Sequence, residues 1–259
     1  MKNMILCFMM YAFLSCNNSK ETPDMRGTYL MQSQILNDGT KDTKLTGLKQ
    51  LKIFTESFFM YTQVNLDDSA SSFGVGSYTA GKGMVVENVI YSSSDTTVGT
   101  PANYELAIDK NTDGYKQVIP EILIDGEKNK LTEEYLEVGT NTKAPLVGVW
   151  KETQSYNITG SDTAMSQRTQ YKAYYDGYFM FGHSFKDSTS RTHTGIGFGT
   201  FEMKSDTLIR ETDLNSTYSI IAGQSFDVKI EMDGEDKYKQ TLKNADGSIG
   251  VEFYERLKK

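Results

Sequence analysis

Gly197-Phe198-Gly199-Thr200-Phe201 interleaves glycine with aromatic residues, without the spacing or caps of a helix, and reads as a strand. An earlier stretch, Gly74-Val75-Gly76-Ser77-Tyr78, says the same thing. Three more phrases recur in order: Gly27-Thr28-Tyr29 as Gly148-Val149-Trp150, Phe58-Phe59-Met60-Tyr61 as Tyr178-Phe179-Met180-Phe181, and Tyr115-Lys116-Gln117 as Tyr238-Lys239-Gln240. The copies lie about 120 residues apart throughout. That is the size of a duplicated domain, since solenoid repeats run at roughly 20–50 residues.

Each copy is β throughout. Runs rich in Tyr, Phe, Val, Ile and Thr, such as Ser57–Val64, Val85–Tyr91, Gln170–Tyr175 and Phe226–Met232, alternate with Gly, Asn, Asp and Ser clusters. Asp125-Gly126, Asp176-Gly177, Asp233-Gly234 and Asp246-Gly247 supply the positive-φ positions of tight hairpins. Thr132–Val138 has a helical composition, but its counterpart Val251–Leu257 alternates, so both are expected to be strands. Consecutive antiparallel strands of this number form either a sandwich or an up-and-down barrel.

Five features recur in the same order in both copies. The second copy carries Gly148-Val149-Trp150, Phe179-Met180, Gly199-Thr200-Phe201, Arg210-Glu211-Thr212 and Glu252-Phe253-Tyr254-Glu255-Arg256-Leu257. The first carries Gly27-Thr28-Tyr29, Phe59-Met60, Gly76-Ser77-Tyr78, Val86-Glu87-Asn88 and Glu133-Glu134-Tyr135-Leu136-Glu137-Val138. Each module thereby resembles the lipocalin-like domains of Bacteroidetes lipoproteins. The resemblance implies an all-β chain of two tandem antiparallel up-and-down barrels. It also implies a barrel end plugged by the opening aromatic, with an arginine of the last strand stacked on it: Trp150 with Arg256 in the second module. In the first, Tyr29 faces Glu137 in the same register, which cannot stack that way, so a different closure is expected there.

The start of the chain is a segment of another kind. A basic beginning and the apolar run from Met4 to Leu14, too short to span a bilayer as a helix, end at Phe13-Leu14-Ser15-Cys16. This resembles a lipoprotein cleavage site, with Cys16 as the lipidated residue. Residues 1–15 are then a signal peptide, 16–25 a polar tether, 26–140 the first barrel, 141–147 a linker and 148–259 the second barrel. Ser19-Lys20-Glu21 also resembles a surface-export signal. Only Cys7 and Cys16 are cysteines, so the mature barrels are expected to hold together by packing alone. The expected address is the outer membrane, on its periplasmic or outer face. A net charge of −7 argues against nucleic acid as a partner, because phosphate binding needs a basic stripe.

Chemistry-bearing patterns are few. Gly76-Ser77-Tyr78-Thr79-Ala80-Gly81-Lys82-Gly83 approximates a P-loop but lacks the hydroxyl after lysine and the helix, and reads as a strand with a Gly-Lys-Gly turn. His183 and His193 are the only histidines, and a hairpin turning near Ser188 lets them face each other. Two ligands alone seldom define a metal site, so no metal and no cofactor is expected. Glu87 and Glu211 occupy one repeated position, and Gln117 and Gln240 another. They are candidate lumen groups that orient a ligand, or alternatively rim residues paired with a nearby Lys or Arg. No nucleophile–base–orienter set and no paired catalytic acids stand out, so an enzyme is not expected. The 16 Tyr and 13 Phe suit either a ligand-lining or a filled interior. The expectation is a lipid-anchored, non-enzymatic envelope protein holding a small apolar or amphipathic molecule in a barrel lumen. The alternative is a structural or protein-interaction lipoprotein with filled barrels.

Overall fold

The computed structural model describes residues 22–65, 71–93, 102–124, 126–244 and 246–259. The proposed signal peptide, Cys16 and most of the tether lie outside the described residues. The first module comprises β1 (Gly27–Asn37), β2 (Asp42–Leu45), β3 (Leu48–Phe54), β4 (Phe58–Asn65), β5 (Ser72–Gly81), β6 (Met84–Ser92), β7 (Ala102–Lys110), β8 (Gly114–Ile124) and β9 (Glu127–Glu137). The second comprises β10 (Gly148–Thr159), β11 (Asp162–Met165), β12 (Thr169–Tyr175), β13 (Tyr178–Lys186), β14 (Thr192–Ser205), β15 (Leu208–Ser216), β16 (Ser225–Asp233), β17 (Lys237–Lys243) and β18 (Ile249–Arg256).

Strands pair antiparallel in chain order, and β1 closes on β9 as β10 closes on β18. Each module is therefore an eight-stranded barrel. The short β2 and β11 stand outside the ring, each paired only with the far end of its opening strand. The Gly-Lys-Gly stretch is a strand end and turn, with Gly83 at φ 66°.

The duplication is visible in the irregularities as well as in the strands. Both closing ladders slip near the start of the opening strand, between Met31 and Ser33 and between Glu152 and Gln154. Both fifth-to-sixth ladders bulge at the conserved phrase, between Val75 and Gly76 and between Phe198 and Gly199. Glycine is required at this bulge. A Cβ on Gly199 would sit 1.9 Å from the Thr212 carbonyl oxygen, and one on Gly76 would sit 2.2 Å from that of Asn88. Gly199→Ala forces backbone to move, as overpacking does, and is expected to lower stability by about 1–3 kcal/mol in urea unfolding.

The inward faces form two separate cores. Tyr29, Phe54, Phe59, Tyr78, Leu106 and Tyr115 pack within the first barrel. Trp150, Tyr174, Phe179, Phe201, Ile209 and Tyr238 pack within the second. Two residues assigned by sequence to tether and linker belong to these cores. Met25 and Leu146, which precede their barrels by the same distance, are 1% and 0% exposed and seal the closed ends. Both are large apolar side chains, and burial at the closed end removes them from water.

A third core lies between the barrels. Leu51, Ile53, Met60, Phe73 and Val75 point outward from β3–β5, and meet Val149, Tyr171, Ala173, Met180, Ile196 and Phe198 of β10 and β12–β14. Phe73 rests on the bare backbone of Gly182, where an added Cβ would lie inside its ring contact distance. The Thr28 hydroxyl donates to the Tyr175 carbonyl across the junction at 3.1 Å. These strands are buried on both faces, so the two barrels form one body.

The closed ends differ. In the second barrel the Arg256 guanidinium lies 4.1 Å from the Trp150 ring centre and donates to the carbonyls of Val147 and Pro145, while the indole N–H donates to Leu146 O at 2.8 Å. In the first, Tyr29 is paired with Glu137 in register, and the cation comes from β7 instead. Lys110 Nζ donates to the Tyr29 hydroxyl and to Asp24 O, each at 2.7 Å, and sits 3.7 Å from Glu137.

Candidate functional site

Strand alternation aims one row of polar side chains into each lumen. Along β6 the inward residues are Val85, Glu87 and Val89; along β15 they are Ile209, Glu211 and Asp213. Glu87, Glu211, Gln117 and Gln240 are all buried, between 3% and 7% exposed. Each of them is therefore inside a barrel, and each carboxylate is also ion-paired. The partners are two lysines at equivalent positions of β3 and β12. Lys52 Nζ lies 2.5 Å from Glu87 and 3.4 Å from Gln117; Lys172 Nζ lies 2.7 Å from Glu211 and 3.3 Å from Gln240.

Each lysine also faces two rings: Lys52 those of Phe54 and Phe59, and Lys172 those of Tyr174 and Phe179, at 5.2–5.5 Å. Burial raises the Glu87 carboxyl above its ordinary value, with Lys52 opposing. A buried charge needs both a partner and satisfied hydrogen bonds, and the lumens supply them. Gln117 donates to Glu133, which also takes bonds from Gln34 at 2.6 Å and Tyr135 at 2.9 Å. Gln240 donates to Glu252 at 2.6 Å, as does Tyr254 at 2.5 Å.

Beyond this shared floor the second lumen has changed chemistry. Register matching sets five of its residues against different ones in the first. Glu152 stands where Met31 does, Ser155 for Gln34, Arg168 for Leu48, His183 for Gln63, and Asp213 for Val89. Arg168 bridges Glu152 at 2.8 Å and Glu252 at 2.7 Å, taking over the donor role that Gln34 plays toward Glu133. Burial would raise the Glu252 carboxyl, but Arg168 and Lys172 outweigh it and hold the group below its ordinary value.

Above this floor is a cavity of about 840 Å³. Its walls are Phe181, Phe185, Ile221, Phe226, Val228 and Leu242, and its base is formed by Arg168, Gln170, Lys172, Glu211, Asp213 and Glu252. It opens at the end opposite Trp150, beneath the loop of residues 217–224. That loop is anchored by Gly223 N–H donating to Asp213 O at 2.7 Å and by Thr217 N–H donating to Ile196 O at 3.0 Å. At its tip Ile220 is 78% exposed.

The two histidines share the inward face of the β13–β14 hairpin but are not opposite each other. His183 pairs with Gly195, and His193 with Phe185. His183 Nε2 lies 2.7 Å from the Tyr218 hydroxyl and Nδ1 3.1 Å from Gln170 Oε1, whereas His193 is bound to Asp187 at 2.7 Å. The turn geometry offsets the register by one pair, and each ring is engaged separately. Among the described residues no group of three or more His, Cys, Asp or Glu side chains is placed to hold a metal ion.

His183 and Asp213 of this lumen are shifted with opposite consequences. Burial, then Arg168, lower the His183 pKa from 6.5 to about 4, with Glu252 opposing. Burial, then Glu211, raise that of Asp213 from 3.8 to about 7, with Lys172 opposing. As pH falls from 6.5 toward 4 the unfolded chain binds a proton at His183 that the fold refuses, so this group lowers stability on acidification. Asp213 contributes stability that is fully present below pH 3.8 and is lost as pH rises through about 7. Urea unfolding across this range is expected to show His183→Gln less sensitive to acid than the parent, and Asp213→Asn without the loss of stability toward neutral pH.

Of these residues the sequence singled out Glu87, Glu211, Gln117, Gln240, His183 and His193. It missed Lys52, Lys172, Arg168 and Asp213. For the lysines the available signal was recurrence at one position in both copies; for Asp213 it was the two-residue spacing from Glu211.

The chain is similar to a crystal structure of a protein of unknown function from the DUF3598 family of Nostoc punctiforme, with 11% identity over 90% of this chain and 96% of that chain and a TM-score of 0.27. No family model matches the chain, and no curated protein does.

Proposed function

We propose that this protein is a non-enzymatic binding protein whose second barrel holds a small amphipathic molecule. The observation that carries the reading is the cavity of about 840 Å³ in that lumen, apolar on its walls and polar at its base. Ligand sites typically enclose about 300–1,000 Å³, mostly apolar, with a few placed polar groups that fix orientation. The polar end of the ligand lies against the floor around Lys172, Glu211 and Glu252, and its apolar body lies between Phe181, Phe226 and Leu242. We further propose that the chain is tethered to the outer membrane by lipid on Cys16, a reading supported by the Phe13-Leu14-Ser15-Cys16 ending of the apolar stretch.

The test is a titration with N-phenyl-1-naphthylamine, a neutral apolar probe that fluoresces when removed from water. The expected result is one saturable site per chain, abolished in Leu242→Trp, which puts an indole where the ligand's apolar body lies between Phe181 and Phe226 and leaves the floor intact. No saturable signal, or a signal indifferent to Leu242→Trp, would overturn the reading.

A further inference from the structure

Resting on that reading, we infer that the second lumen selects a cationic ligand, a protonated amine carried on an apolar body, with Asp213 as its counter-ion. Every other charge at the base of the cavity already has a partner. Arg168 is held between Glu152 and Glu252, and Lys172 by Glu211. Asp213 is 4% exposed, lines the cavity, and its Oδ1 has no hydrogen-bond partner. A buried polar atom left unsatisfied is costly unless something supplies the missing bond.

The surroundings of Asp213 suit an ammonium group. Asp213 Oδ1 and the Phe181 ring both pack over Gly197, at 2.9 Å and 2.5 Å from where its Cβ would be, so the carboxylate and the ring are neighbours on the cavity lining. An ammonium in the cavity that Asp213 and Phe181 both line donates to Oδ1 and lies near the ring. An anion there meets Glu211 and Glu252, while both lumen cations are already taken. The first barrel has Val89 at this position, in an apolar cluster, so the device belongs to one copy.

The groups around Asp213 also set the pH response. Glu211 lies on its own strand, Lys172, His183 and Arg168 face it from β12, β13 and the segment before β12, and Glu252, Tyr218 and Asp246 complete the lining. Arg168 and Glu252 stay ionised and His183 stays neutral near pH 7, which leaves Asp213 as the group whose proton a cation must displace.

Isothermal titration calorimetry of the full chain with n-octylamine, 1-octanol and octanoate tests this. Octylamine is expected to bind one per chain and about tenfold or more tighter than the other two, weakening about tenfold from about pH 8 to pH 6. Asp213→Asn is expected to bring octylamine down to the level of octanol. Asp213→Val, which installs the first barrel's residue, gives the same result if the asparagine variant folds poorly. Octanol or octanoate matching octylamine, or octylamine indifferent to both variants, overturns the cation inference and leaves amphiphile binding standing. Failure of all three octyl compounds overturns the cation inference; if N-phenyl-1-naphthylamine fails as well, the binding reading falls with it.

Discussion

Glu211→Ala is expected to lower the unfolding free energy by about 3–5 kcal/mol, the range measured when one partner of a buried ion pair is removed. Lys172 is only 4% exposed and depends on Glu211 for its counter-charge at 2.7 Å. The same substitution strips the Tyr174 hydroxyl of its acceptor at 2.5 Å. What remains is a cation among Tyr174 and Phe179 with only the Gln240 amide oxygen within hydrogen-bond reach. The cost arises from that isolation and is not a measure of the pair's net value. Lys172→Met combined with Glu211→Leu, which removes both charges and retains volume, is therefore expected to fall within about 1 kcal/mol of the parent. Urea midpoints of the three chains decide the matter. A Glu211→Ala chain as stable as the parent would mean that Lys172 reaches water and the floor is not closed.

Arg256→Ala is expected to cost about 3 kcal/mol and to shift the fluorescence of the chain. The guanidinium stacks on Trp150, an interaction worth about 0.5–2 kcal/mol, and its charged hydrogen bonds to backbone carbonyls are worth about 1.5–3 kcal/mol each before exposure reduces them. It ties Pro145 O and Val147 O of the linker and Glu235 O of the β16–β17 turn to the last strand. Its loss opens the closed end of the second barrel. Trp150 is the only tryptophan, so its emission should move to the red as water reaches the indole. An unchanged spectrum together with an unchanged midpoint would show that the stack does not close the barrel. The first barrel offers a built-in comparison, since Lys110 performs a related task from a different strand and Glu137 occupies the arginine's register.

Strand positions were legible because they rest on local chemistry, whereas barrel closure was reached only through the resemblance to lipocalin-like domains. Asp-Gly pairs need positive φ, and Asp176 and Gly177 show it at 53° and 82°. The repeated Gly76 and Gly199 mark bulges where backbone meets backbone, a constraint that survives duplication. Glu87 and Glu211 were visible as a repeated acid, but their location inside the lumen was not, because a lone glutamate on a strand is normally solvated. Lys52 and Lys172 were masked for the same reason: only a carboxylate three strands away makes an inward lysine sensible.

The interface between barrels left a trace that went unused. Leu51-Lys52-Ile53-Phe54 and Tyr171-Lys172-Ala173-Tyr174 are apolar on alternate residues of both parities, apart from the lysine, and such runs indicate strands buried on both faces. Which surface covers the second face is decided by tertiary packing, so the partner could not be read from the run itself. The His183–His193 relation failed over one residue pair of register, the least secure quantity in any hairpin reading.

The duplication has thus preserved a scaffold and a buried Lys–Glu–Gln–Glu floor, while Arg168, His183 and Asp213 alter one lumen. Native mass spectrometry of the protein purified gently from its own host tests the central claim most directly. The expected result is a chain mass accompanied by one small molecule, retained by the parent and absent from Leu242→Trp. A parent chain that flies with no added mass, and that takes up neither octylamine nor N-phenyl-1-naphthylamine when they are supplied, would contradict it.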